Sequence, residues 1–271
     1  MFFTELKKKR ILILLISIFF ITGCVGKIKE RLKEQPVVTY VEKPAELLLQ
    51  DANRYLLRKN YALAAVSFEE IDKQHPYSKV AKKSKIMAAY AHYMNKDYEV
   101  SILAIDRFIS LHPADRSLMP YVLYLKGLCY FDRIDNVDLD QEPSQNTKKI
   151  FEELIKKFPN SVYSKDAKKK IIVANDQIAA KEMDIGRYYQ EKNRHLAAIE
   201  RFKIVVNDYN TTAQTPEALY RLTESYLSLG IITEARKTTA VLGYNFKESN
   251  WYKLSYDLFK KYGYKKNGKK G

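Results

Sequence analysis

The sequence predicts an all-α fold in which five antiparallel helix pairs stack side by side, and three observations carry that expectation. Gly supplies 9 and Pro 8 of the 271 residues, each about 3%, against typical usage of roughly 7% and 5%. Turn-makers this scarce argue against an all-β sandwich and against a glycine-loop nucleotide enzyme. A phrase with spacings of 4, 3 and 5 recurs four times: Ala64, Phe68, Ile71, Pro76; Ser101, Ile105, Phe108, Pro113; Thr147, Phe151, Leu154, Pro159; and Ala198, Phe202, Val205, Asn210. Offsets of 0, 4 and 7 place three side chains on one helix face, and the proline stands where that helix must end. Upstream of each phrase a small residue precedes a ring by three: Ala52 and Tyr55, Ala89 and His92, Gly127 and Tyr130, Gly186 and Tyr189. That marks a partner helix whose small residue admits close approach.

Taken in order, the chain opens with Lys7-Lys8-Lys9-Arg10 and an uncharged, mainly apolar stretch from Ile11 to Ile21. Eleven residues rise about 16 Å as a helix, roughly half a bilayer core, so 1–23 reads as a signal peptide rather than a span. Ile21-Thr22-Gly23-Cys24 resembles the bacterial lipobox, with Gly and Cys matching and Ile and Thr departing mildly. The resemblance implies cleavage before Cys24 and acylation of its thiol, which ties the chain to a membrane. Val25 follows, not the Asp that resembles an inner-membrane retention signal. Outer-membrane attachment facing the periplasm is therefore expected. Residues 24–44 carry Pro36 and Pro44 without helical apolar spacing and read as an extended tether.

Residues 45–259 hold the repeats, at about 45–78, 82–115, 120–161, 179–212 and 216–249. The fifth has Thr223, Tyr226, Gly230 and Ala235, with Thr223 and Ala235 each 37 residues after Gly186 and Ala198. About eight extra residues stretch the third repeat between its helices, and about seventeen before the fourth lengthen a helix. The pattern resembles the tetratricopeptide repeat, which implies a right-handed superhelix of five tetratricopeptide-like helix pairs with a concave side. Last comes 260–271, a basic tail of six lysines and no acid.

The net charge of +15 suggests a nucleic-acid partner until it is divided along the chain. It falls as +3 in 1–23, +2 in 24–44, +4 in 45–259 and +6 in 260–271. The repeat body is nearly balanced, so no nucleic acid is expected there.

No catalytic constellation emerges. His75, His92, His112 and His195 are scattered, and no H-E-x-x-H, G-x-S-x-G or P-loop pattern occurs. Asp132 to Glu142 holds five acids but lacks the Gly and Glu of a calcium loop, so it reads as a solvated, helix-capping insertion. Cys129, a lone cysteine on an apolar helix, reads as core packing. An enzyme, a metal site and a cofactor are not expected.

In a tetratricopeptide stack the groove is lined by the second, fifth, ninth and twelfth positions of each first helix. Here these give Glu46, Leu49, Asn53 and Leu56, then Lys83, Ile86, Tyr90 and Tyr93, then Tyr121, Tyr124, Leu128 and Phe131. The aromatics suit an extended peptide with aromatic residues, or else pack between repeats. Arg107, beside Phe108, suits a carboxylate or stands as a surface charge.

The phrases AYAHYM, IDRFISLHP, YLKGL, FEELIKKFPNSVYSKDA and IGRYYQEKNRHLAAIERFKIVVNDY, in that order behind a lipobox, resemble the BamD (ComL) family over essentially all of 24–249. The resemblance implies a non-enzymatic lipoprotein of the outer-membrane β-barrel assembly machinery. Its partners would be unfolded barrel proteins, a POTRA domain of BamA and other Bam lipoproteins. It also implies that Arg201 pairs with acidic residues of that POTRA domain, the alternative being a solvent-facing charge. Tyr90, Tyr93 and Arg107 fall in the region that family uses for a substrate segment ending in an aromatic. Two departures stand out: Asn210 in place of proline, and the unfamiliar ending from Phe246 onward. A reading from another class, a basic lipoprotein binding DNA or cell wall, is motivated by the lysine tail and the competence association of the ComL name.

Overall fold

The computed structural model describes residues 42–267, so Cys24, the signal segment and most of the tether lie outside the described residues. Among the described residues there are eleven helices and no strand. They are α1 (Ala45–Leu57), α2 (Tyr61–Gln74), α3 (Ala81–Met94), α4 (Tyr98–Leu111), α5 (Met119–Phe131), α6 (Glu142–Lys157), α7 (Val162–Glu191), α8 (His195–Asp208), α9 (Thr215–Ser228), α10 (Ile232–Asn245) and α11 (Asn250–Asn267). The first ten form five tetratricopeptide-like pairs, and α7 serves as the first helix of the fourth.

Four of the five turns within a pair share one construction. Lys59, Lys96, Asn193 and Gly230 stand at positive φ, 58°, 66°, 57° and 75°. Each donates its N–H to a carbonyl three residues back, and the next residue donates to one five back, as Asn60 does to Tyr55 at 2.9 Å and Ile231 to Tyr226 at 2.8 Å. This is the Schellman closure of a helix. The carbonyls that accept the longer bond belong to Tyr55, His92, Tyr189 and Tyr226, the rings of the recurring sequence phrase. The third pair lacks the left-handed residue because the chain runs on into the insertion.

Second helices end just as uniformly. His75, His112, Phe158, Tyr209 and Phe246 cap them with φ between −130° and −137°. A following proline pushes its predecessor out of the helical region. Tyr209 keeps this geometry before Asn210, so the missing proline does not change the turn.

Phe68, Phe108, Phe151 and Phe202 are almost wholly buried, each worth about 1.5–3 kcal/mol relative to exposure. Phe151 lies against Gly127 and Phe202 against Gly186, which is what the small residues of the first helices are for. Three hydrophobic clusters result: one over α1–α3, one from α3 into the start of α7, and one from the second half of α7 to α11. Three pairs of neighbouring helices on the first-helix side touch, α3 on α5, α5 on α7 and α9 on α11, whereas successive second helices make no comparable contact. Clefts open along the first helix α1, beside Glu46, Leu49 and Asn53, and between the second helices α2 and α4.

The sequence suggested no helix beyond 249. Yet α11 packs on α9 and α10, setting Trp251 5.4 Å from Tyr220. It also buries Ser255, whose hydroxyl lies 2.9 Å from that of Thr239. Residues 260–267, expected as the start of a tail, continue this helix.

Candidate binding surfaces

The first-helix side gathers aromatic residues where α3, α5 and α7 meet. Tyr90 and Tyr93 lie 6.4 Å apart on α3, and Tyr93 lies 5.9 Å from Tyr98 on α4. On α5, Tyr121 and Tyr124 stand 5.5 Å and 5.2 Å from Tyr163 of α7. All are half-buried. The Tyr93 hydroxyl donates to Asp132 and that of Tyr124 to Asp166, both at 2.6 Å. Burial and these carboxylates push both phenols well above their ordinary pKa. Among the described residues, the hydroxyls of Tyr90 and Tyr121 make no hydrogen bond. Burial, with Tyr90 and Tyr163 beside it, raises Tyr121 as well. The four tyrosines expected in a groove therefore do come together, two tied down and two with unused polar tips.

Arg107 does not join them. It lies on α4, a second helix, and lines a cleft of about 330 Å³ with Asp72, Lys85, Val100, Leu103 and Ala104. Its guanidinium is largely exposed and 4.0 Å from Asp72, a carboxylate already paired closely with Lys85. The structure thus places Arg107 in a cleft of α2, α3 and α4, apart from the tyrosines with which it was grouped.

Arg201, on α8, donates one N–H to Glu182 of α7 at 3.1 Å. A guanidinium has five donors, so this half-exposed fork retains capacity for a second carboxylate. Across α7 and α9 runs a lattice that the sequence did not reveal. Arg187 pairs with Asp184 and, at 3.2 Å, with Glu217. Arg221 reaches Glu217 at 3.2 Å and Glu224 at 3.3 Å, and Gln190 donates to Glu224 and Ser225 at 3.0 Å. Its bonds between the two helices join residues 30 to 35 apart, Arg187 with Glu217 and Gln190 with Glu224 and Ser225, too far for any local spacing rule.

The acidic insertion is held rather than loose. Gln177 donates to the Asp135 carbonyl at 2.6 Å and Lys181 to that of Asp138 at 2.9 Å. Asp140 accepts from the Glu142 N–H at 3.0 Å, at the start of α6. Cys129 is fully buried, donates to the Ser101 hydroxyl at 3.3 Å, and is pushed by burial to a pKa of about 11.

Residues 41–242 match the family described as YfiO, outer membrane lipoprotein. The chain belongs to the YfiO family. Two proteins similar to this YfiO chain are named outer membrane protein assembly factor BamD. The one from Caulobacter vibrioides is 43% identical over 88% of this chain and 76% of its own. The one from Rickettsia prowazekii is 40% identical over 92% and 97%. The solved TPR2AB domain of yeast Sti1 with pHSP90 gives a TM-score of 0.42 at 12% identity, covering 78% of this chain and 81% of that one. The match begins just ahead of α1 and runs into α10, so it spans both the tyrosine surface and Arg201 of this YfiO chain.

Proposed function

We propose that this YfiO chain is an outer membrane protein assembly factor that works as a non-catalytic scaffold. Cys24 carries its lipid and the repeats face the periplasm. Unfolded β-barrel segments lie along the first-helix side. The BamA POTRA region docks near Arg201, and other Bam lipoproteins join the complex. The observation that carries the reading is the row of half-buried tyrosines across α3, α5 and α7, two of which keep unbonded hydroxyls. A rigid aromatic surface gives a large contact area at low entropic cost and demands little of the sequence it holds. That suits a protein that meets many extended chains. The pair with Glu182 of α7 orients the guanidinium of Arg201 and leaves its remaining donors for a partner carboxylate. Affinity purification of the full chain from solubilised outer membranes is expected to bring down a large barrel protein bearing POTRA domains. Recovery of the chain alone, with its lipid intact, overturns the reading.

A further inference from the structure

We propose that the first three turns of α7 dock an acidic amphipathic helix of a partner protein, along a seam that α8 covers only in part. Ala179, Met183 and Gly186 stand at steps of four and three on α7. The same alternation of three and four, followed back toward the start of the helix, meets Asp176, Ile172, Lys169, Lys165 and Val162. That spacing keeps side chains on one helix face. The two halves of the seam have different surroundings. Ala179 and Met183 are fully buried in the cluster that holds Ala198, Phe202 and Val205 of α8, and Gly186 lies against the Phe202 ring. Asp176 accepts from the N–H of Ala213 at 2.9 Å, in the turn that follows α8. With 14 residues against the 30 of α7, α8 stops there. Before Asp176 the seam is bare: Val162 and Ile172 are 71% and 60% exposed, and Lys165 and Lys169 are exposed too. The opposite face of these turns, with Ser164 and Ala167, is buried.

Charge and register choose the occupant. Lys165, Lys168 and Lys169 make no ion pair among the described residues, whereas the neighbouring Asp166 is taken by Tyr124 and Lys170. The bare half continues a seam whose other half already packs helix on helix. A partner helix laid there covers Ile172 with an apolar side chain and meets the lysines with carboxylates. A second copy docked symmetrically would set these lysines against each other. The contact does not use Arg201, whose partner Glu182 stands outside the seam's series.

The test places the photo-crosslinking residue p-benzoylphenylalanine at Ile172, at Val162 or, as a control, at the exposed Val66 of α2, in the full chain in its own cells. Irradiation is expected to join the Ile172 and Val162 chains to another protein, well above the Val66 level. Sequencing of the joined peptide is expected to find helical apolar spacing and carboxylates outnumbering cations. Lys165→Glu with Lys169→Glu is expected to reduce the adduct about tenfold or more, since reversal sets like charges face to face, while Lys165→Arg with Lys169→Arg keeps it within about twofold. Circular dichroism verifies that the reversed chain stays folded, and Arg201→Glu is expected to leave the adduct in place. Absence of an adduct above the Val66 level overturns the proposal, as does an adduct confined to lipid, to a second copy or to a basic segment. So does an adduct that the charge reversal leaves unchanged or that Arg201→Glu removes.

Discussion

The Phe151 ring occupies the space in which Gly127 would carry a side chain. A Cβ built there falls within 2.6 Å of Phe151 Cδ1 and closer still to the ring edge. Gly186 and Phe202 repeat the relationship two helices later, at 2.7 Å to Cδ1. In each case a first helix gives up its side chain so that the ring of the second can sit against its backbone.

Gly127→Ala therefore sets two effects against each other. Alanine in a helix interior gains about 0.5–1 kcal/mol over glycine, while overpacking a filled core costs typically 1–3 kcal/mol and occasionally more. Phe151 is fully buried and cannot swing away, so the clash wins. The expected outcome is a net loss of about 1–2 kcal/mol in urea denaturation, with Gly186→Ala alike. A stability equal to or above that of the unmodified chain contradicts this packing.

Part of the pH response follows from Tyr93, Tyr124 and Cys129. Burial, and then the carboxylates they donate to, favour the neutral phenols of Tyr93 and Tyr124, and burial raises Cys129 from 9.0 to about 11. A group whose folded pKa exceeds its unfolded value contributes fully below the unfolded value and loses that contribution as pH rises above it. Stability is thus expected to be unaffected by these groups up to about pH 9, then to fall as the thiol and next the phenols ionise in the unfolded chain. Tyr93→Phe with Tyr124→Phe is expected to give a shallower fall above pH 10. Denaturation midpoints at half-unit pH steps decide, and an equally steep fall in the double variant refutes the assignment.

If a POTRA domain docks as proposed, Arg201→Glu is expected to weaken its capture while the repeats stay folded. The pair with Glu182 is half-exposed, so its loss costs stability roughly 1 kcal/mol or less. Glu182→Gln frees the guanidinium and is expected to leave capture intact or strengthen it. Circular dichroism beside a pull-down separates the cases, and retained capture by the Arg201→Glu chain removes this residue from the interface.

The sequence made the helix pairs legible because each repeat carries its own local code: three apolar offsets, a stop, and a small residue ahead of a ring. That code even marked the carbonyls that close the turns. The end of the stack was hidden for a different reason. Trp251, Ser255, Leu258, Phe259 and Tyr262 do follow helical spacing, but a buried serine and three aromatics, two of them with polar tips, do not match the repeat phrase. Arg107 was grouped with the tyrosines through the family resemblance, which says nothing about which side of the stack a second helix faces. The bonds from Tyr93 to Asp132 and Tyr124 to Asp166 span 39 and 42 residues, and no rule of spacing reaches that far.

The 30 residues of α7 extend about 45 Å without a break. Ala167 near one end belongs to the middle hydrophobic cluster, and Ala179 and Met183 belong to the last. An unbroken helix rooted in two cores behaves as a beam. The tyrosine row near its beginning and Arg201 beside its far half are thereby mounted on one rigid member, so a pull on either is borne by the other.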